Sequence, residues 1–390
     1  WVPPSALQQP YTRFDGAVVV GLLDAARLET NGTRRSAYLE TARRLSEYLL
    51  CLQSNAGNGG LPDSPNISLV GNGYHAAAFA GVALFSAYAE FGDARYLNGA
   101  IAAANWTLGN PTYPYGNIPP GGNCPPLNPP QITPCTFYSN VNHMGLQLWI
   151  LSTAYEFTGN QAYLDRGLAL AEEIIAWQDY VSNQNPWPIG AIPDGSWYWY
   201  DYAAQSPPVG SPMPPPGQSF EASRKMGYHV FTMKGLIALL RATGVQSLPG
   251  VSTPRNAVGF RQFKNALVSS VRKGLNYMID NQEITDGVYR YRGGLRYYKN
   301  NQDWIWQTAS FSSNTTTASA GLDVIVEGYE TLSQYSENLQ AGEQESIREF
   351  MNGVAGGYLG KHSGNFVNSG WAADGQIPGW GHLAKHIQSP

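Results

Sequence analysis

The stretch Asn72-Gly73-Tyr74-His75-Ala76-Ala77-Ala78-Phe79-Ala80-Gly81 decides the fold. It carries no charge, and the apolar run continues to Phe91, with Glu90 the one charged residue, before Gly92 breaks it. A helix that is apolar nearly all round must be buried on every side, so this one cannot lie on a surface. Two further segments open the same way. Val141-Asn142-His143 and Gly227-Tyr228-His229 each set a histidine at the start of a helical pattern. Six residues after each histidine stands Gly81, Trp149 or Gly235.

Working outward, the helical period gives five hairpins, each a first helix followed by a second. First helices are expected near residues 14–29, 74–91, 140–157, 224–243 and 316–335. Second helices are expected near residues 37–53, 94–109, 161–180, 258–282 and 340–355. The turn Glu90-Phe91-Gly92-Asp93-Ala94-Arg95-Tyr96-Leu97 is repeated as Glu156-Phe157-Thr158-Gly159-Asn160-Gln161-Ala162-Tyr163-Leu164, with Ser36-Ala37-Tyr38-Leu39 as the counterpart in the first hairpin. Glycine stops one helix and Tyr-Leu opens the next. The second helices also end alike, at Leu52-Gln53, Trp177-Gln178 and Asn281-Gln282. Uniformly apolar first helices with amphipathic second helices describe an all-α fold, an α/α toroid with an inner and an outer ring. A single domain over residues 1–390 is expected, with five clear hairpins and room for a sixth or seventh. Inner helices that run parallel bring their N-terminal ends to one mouth. There the helix dipoles add partial positive charge, and His75, His143 and His229 are expected to converge.

The composition is consistent with this. A chain of 390 residues that is 43% hydrophobic and 13% charged buries a large core without disulfide staples. A net charge of −4 and the lack of a basic run exclude nucleic acid as partner. No stretch reaches the ~20 apolar residues of a membrane span. Cys124 and Cys135 flank a Pro-rich loop and are expected to form a disulfide, whereas Cys51, in an apolar helix, is expected to be a buried thiol. Glycosylation sequons stand at Asn31, Asn66, Asn105 and Asn314. With the low Lys content and a chain that opens at Trp1, they favour a processed, secreted, extracellular glycoprotein. A monomer is expected.

Two long loops depart from the repeat, and long loops in compact folds are usually functional. Residues 181–223 carry Trp197 and Trp199. Residues 283–313 contain Tyr289-Arg290-Tyr291-Arg292-Gly293-Gly294-Leu295-Arg296-Tyr297-Tyr298-Lys299, read as a β-hairpin turning at Gly293-Gly294. Its arginines, with Arg224 and Lys225 just before His229, suit an anionic ligand. Aromatic rings such as Tyr74, Trp197 and Trp199 suit sugar faces. Together these groups fit β-elimination on a uronic acid polymer. The sugar carboxylate must be neutralised before its neighbouring proton can leave, which an amide, His or Arg does. A His or Tyr then takes the proton and a Tyr protonates the leaving oxygen. Asn142, His143, His229 and Tyr297 or Tyr298 supply that set, supported by Arg292 or Arg296. The chemistry calls for neither metal nor cofactor.

The Asn-His pair opening an inner helix, the second His on a later inner helix and the Arg-rich segment ending in Tyr resemble the α/α-toroid polysaccharide lyases. Within that group the chain is most similar to the family-38 lyases, which act on alginate or glucuronan. The resemblance implies Asn142 and His143 as carboxylate neutralisers, His229 as base, Tyr298 (or its neighbour Tyr297) as acid and Arg292 as an orienting residue. Tyr74, His75, Trp197, Trp199, Lys225 and Arg296 would then contact the acidic polysaccharide.

Three other readings compete. A glycoside hydrolase on the same toroid needs paired carboxyl groups, for which Asp194 and Glu221 are the candidates. Asp194-Gly195, however, repeats the turn chemistry of Pro62-Asp63 and Asp286-Gly287. A zinc site from His75, His143 and His229 has the right donors but no supporting spacing. A non-catalytic carbohydrate-binding protein would leave the histidine set without a purpose.

Overall fold

The computed structural model describes residues 12–62, 73–109, 141–178, 195, 197, 224–244, 257–280, 298–299, 304–305, 324–325 and 327–334. Four helical hairpins are complete within them: α1 (Thr12–Leu28) with α2 (Gly32–Ala56), α3 (Tyr74–Phe91) with α4 (Ala94–Gly109), α5 (Val141–Thr158) with α6 (Gln161–Trp177), and α7 (Met226–Thr243) with α8 (Ala257–Asp280). Residues 324–325 and 327–333 are helical and belong to the expected fifth inner helix. Its expected partner near 340–355 lies outside the described residues, as do the disulfide pair Cys124 and Cys135 and the sequons at Asn66 and Asn314.

The helices sort into two layers by burial. α3 buries Ala76 to Phe85 without a break, and α5 buries Val141 to Leu148 and Ile150 to Ala154. α4 buries one stripe only, Tyr96, Gly99, Ala100, Ala103, Ala104 and Thr107, at helical spacing. The inner helices therefore pack in the order α1, α3, α5, α7, each backed by its own outer helix. They run parallel. Ion pairs join their C-terminal ends, from Arg27 to Glu90 at 3.6 Å and from Arg241 to Glu156 at 2.7 Å. Arg241 also pairs with Glu327 of the fifth inner segment.

Glycines set how closely the inner helices meet. A Cβ built on Gly145 would lie 2.5 Å from the Thr232 Cα, and one on Gly235 would lie 2.2 Å from the Gly145 carbonyl oxygen, so α5 and α7 touch backbone to backbone. Gly16 does the same for α1 against α3, at 2.6 Å from the Phe79 carbonyl. Between α3 and α5 the corresponding Gly81 meets a side chain instead, the Ile150 Cδ1 at 2.4 Å.

The repeated turns explain the repeated motifs. Gly92 (φ 68°) and Gly159 (φ 65°) end α3 and α5 in the left-handed region, which glycine enters without strain. The tyrosine that follows each is buried and reaches back to the preceding outer helix: Tyr96 Oη donates to Glu47 at 3.0 Å, and Tyr163 Oη to Asn105 Oδ1 at 2.7 Å. The glutamine that ends an outer helix binds two carbonyls. Gln53 Nε2 donates to Gly59 at 2.8 Å and Gly99 at 2.9 Å, and Gln178 Nε2 to Gly195 at 2.8 Å and Ser270 at 3.0 Å. One acceptor is the loop behind the helix and the other is the next outer helix.

Two expectations need correction. α2 starts at Gly32, not near 37, because Asn31 caps it by accepting from the Arg34 N–H at 3.1 Å. Cys51 is exposed. The buried stripe of α2 is Ala42, Ser46, Leu49, Leu52 and Gln53, and Cys51, two residues on from Leu49, falls on the opposite face. The expected turn at Gly293-Gly294 lies outside the described residues. β2 (Tyr298–Lys299) pairs antiparallel with both β3 (Trp304–Ile305) and β1 (Arg224–Lys225).

Candidate functional site

The first turns of the parallel inner helices form one mouth. Arg13 is the second residue of α1, Tyr74 and His75 open α3, and Asn142 and His143 are the second and third residues of α5. The His75 and His143 rings lie perpendicular with centroids 5.0 Å apart. The Tyr74 ring sits 5.9 Å from His143 and 5.7 Å from Trp106 of α4. Phe231 of α7 meets the edge of His75 at 5.7 Å and closes the far side. Sequence reasoning missed Arg13, although its register in α1 matches that of His75 in α3, and this register was the available signal.

Burial sets the electrostatics. His143 is 5% exposed, and loss of hydration pushes its pKa down to about 4. His75 is held well below the usual imidazole range by burial first, then by His143 and by the nearby Arg13 charge. Both rings are thus neutral at physiological pH and able to accept a proton. Asn142 is 1% exposed, and its side-chain Oδ1 and Nδ2 are both buried with no hydrogen-bond partner among the described residues. A buried amide left unpaired costs about 1–3 kcal/mol per group, so such a group in a native fold calls for a reason. Three parallel helix N-termini around it favour negative charge.

His229 does not join this pair. Its Nε2 lies 2.9 Å from the Gly274 carbonyl of α8, and its ring packs 4.9 Å from both Trp197 and Tyr277. A carbonyl only accepts, so Nε2 carries the proton and the ring is wedged between the inner and outer layers. Convergence of three histidines is corrected to two, and the three-imidazole zinc set is not assembled. Among the described residues no cluster of three or more His, Cys, Asp or Glu could hold a metal ion. Trp197 is likewise a core residue rather than a sugar platform. It is 4% exposed and its Nε1 donates at 2.8 Å to the Ile174 carbonyl, one of the four left open at the end of α6.

The pairing of β1 with β2 sets Lys225 opposite Tyr298 and Arg224 opposite Lys299, directly before the first residue of α7. Tyr297, Arg292, Arg296, Trp199, Asp194 and Glu221 lie outside the described residues. Asn31 and Asn105 are exposed on the outer layer. No described helix is long and apolar enough to cross a membrane.

No protein-family model matches this sequence, and no curated protein matches it. Solved structures do match in shape along nearly the whole chain. A polysaccharide lyase aligns with a TM-score of 0.55 at 14% identity, over 98% of this chain and 92% of its own. A sugar epimerase from a ruminal bacterium aligns with a TM-score of 0.55 at 11% identity, over 97% and 88%. A family-88 glycosyl hydrolase from Bacteroides vulgatus aligns with a TM-score of 0.51 at 11% identity, over 97% and 90%. At these identities the likeness establishes the fold, an α/α toroid.

Proposed function

We propose that this chain is a carbohydrate-processing enzyme, one domain over residues 1–390, that cleaves a uronate-containing polysaccharide of the alginate or glucuronan type by β-elimination. We also take it to be a secreted monomer. The observation that carries the reading is the buried Asn142 amide, without a hydrogen-bond partner among the described residues, beside two neutral imidazoles at a mouth ringed by helix N-termini. A sugar carboxylate fits that amide: it accepts from Nδ2, and Arg13 and the helix ends offset its charge.

With the carboxylate neutralised, His75 or His143 takes the proton from C5. The C5–H electron pair forms the C4–C5 double bond, the C4–O4 bond breaks, and O4 takes a proton from a tyrosine. Tyr74, beside His143, is our choice for that acid, with Tyr298 second. His229 is set aside as base because its Nε2–H is committed to Gly274.

The test is ultraviolet absorbance of the conjugated product on alginate, glucuronan and pectin, with and without a chelator. A rise that survives the chelator is expected. His143→Ala, His75→Ala and Asn142→Ala should each lower kcat/KM roughly 10²-fold or more, and His229→Gln far less. New reducing ends without absorbance would mean hydrolysis and turn attention to Asp194 and Glu221. The facing histidine pair also suits a second reading, sugar epimerisation, in which one imidazole removes a proton and the other returns one to the opposite face. Isomerised sugar without chain cleavage would select it.

A further inference from the structure

The last turn of α4 returns to the mouth, because this outer helix runs back beside α3. The stripe that α4 buries is small apart from Tyr96: Gly99, Ala100, Ala103, Ala104 and Thr107. Trp106 stands beside that stripe and is only half-buried, so solvent reaches part of its surface. Hydrogen bonds hold both of its neighbours. Asn105 Oδ1 accepts from Tyr163 Oη of α6 at 2.7 Å, and Thr107 Oγ1 donates to the Ala103 carbonyl at 3.0 Å. Each neighbour is about 100° around the helix from Trp106, so the indole leaves the turn between two fixed points. Tyr74, also half-buried, meets it with ring centroids 5.7 Å apart and planes tilted by 47°. The same Tyr74 ring lies 5.9 Å from His143. Two splayed rings, each open to solvent in part, thus adjoin the more deeply buried Asn142 and His143.

We propose that Trp106, with Tyr74, is the stacking platform for the sugar that leaves with O4. This rests on the uronate reading above. With Tyr74 as the acid, the bond that breaks lies at Tyr74, and the sugar on the leaving side falls beside the indole in contact with it. A pyranose presents an apolar C–H face, which an indole covers without reading charge. An indole already held in place loses little freedom when the sugar arrives. Trp106 therefore reads chain length and ring face, whereas Asn142 reads the carboxylate.

The test separates this claim from the reaction. In a His143→Ala background, calorimetry measures binding of a uronate tetrasaccharide, and an NMR titration measures a uronate monosaccharide. Adding Trp106→Ala should weaken the tetrasaccharide roughly 10-fold or more and the monosaccharide less than about twofold. Trp106→Phe, which keeps a ring, should retain most of the affinity. The tetrasaccharide should also change the indole fluorescence of the parent, by a component that Trp106→Phe removes. Circular dichroism and melting confirm that each variant is folded. Equal losses for the two sugars, or no loss for either, overturn the proposal, as does a parent that does not bind the tetrasaccharide. The absorbance assay reports on the reaction separately. Affinity that depends on Trp106 without an absorbance rise would remove β-elimination and keep the platform. A rise with affinity indifferent to Trp106 would do the reverse.

Discussion

At the scale of single residues, the mouth and its neighbour Asp15 respond to pH in opposite senses. The His143 imidazole titrates near 6.5 when unfolded and at about 4 when folded. Between those values the unfolded chain binds more protons, so this residue withdraws stability as pH falls from 6.5 to 4, on the order of 3 kcal/mol in full. Asp15 of α1 is shifted the other way, from 3.8 up to about 6, by burial. Its folded carboxyl holds its proton longer, so its contribution is present below pH 3.8 and lost as pH rises through 6. The two effects oppose each other across the same window. Asp15→Asn should therefore raise the melting temperature at pH 7–8, lose that gain below about pH 4, and make the acid-side decline steeper. Melting curves of both proteins from pH 3 to 8 check this. Unchanged melting at pH 8 would show that Asp15 is not strained by burial.

At the scale of elements, the ends of the outer helices account for the periodicity read from the sequence. Leu52-Gln53 and Trp177-Gln178 were legible as a repeat, but their purpose was not. The acceptors, Gly99 and Ser270, lie 46 and 92 residues away, and no local pattern announces a partner at such distances. Gln53→Ala and Gln178→Ala should each cost roughly 1–3 kcal/mol in urea denaturation, because two carbonyls lose one donor. A change within error would make the clip incidental. The glycines of the inner ring separate in the same way. Gly145→Ala forces a methyl against the Thr232 backbone and should cost at least about 3 kcal/mol, the upper range for overpacking. Gly92→Ala meets open space and carries only the left-handed backbone cost, about 1–2 kcal/mol. Comparing the two midpoints decides whether contact or conformation dominates.

The histidines show where sequence reading stops. The three histidines stand alike in the sequence, six residues before Gly81, Trp149 and Gly235, yet they are the second, third and fourth residues of α3, α5 and α7, and each step of about 100° turns a ring further from the mouth toward the outer layer. Asn142-His143 was read correctly as a unit at the N-terminus of an inner helix. Arg13 was overlooked because the first hairpin lacks the histidine that marked the others. Trp197 looked like a sugar platform because only packing reveals that its Nε1 closes the end of α6.

At the scale of the whole molecule, the two mouths of the toroid differ in kind. One carries amide, imidazole, phenol and guanidinium groups within the first turns of α1, α3 and α5. The other is laced by Arg27, Glu90, Glu156, Arg241 and Glu327. Arg241→Ala cuts two of these links and should lower stability by about 1 kcal/mol, as partly exposed pairs do, while leaving kcat/KM within about twofold. A larger loss of turnover with unchanged melting would show that the distant mouth governs the chemistry.

The glycine contacts between inner helices carry a mechanical consequence. α1 is locked to α3, and α5 to α7, where backbones meet without side chains between them. The junction of α3 with α5 is filled by side chains, with Ile150 against Gly81, and such packing slides more readily than backbone on backbone. Among the described hairpins the inner ring is thus two stiff shells joined at a hinge line, and His75 and His143 stand on opposite sides of it. Any breathing of the shells changes the gap between those two imidazoles, and with it the gap from Tyr74 to His143. On the proposed uronate reading, a polymer entering there would set the reach of a proton by how far it pries that line open.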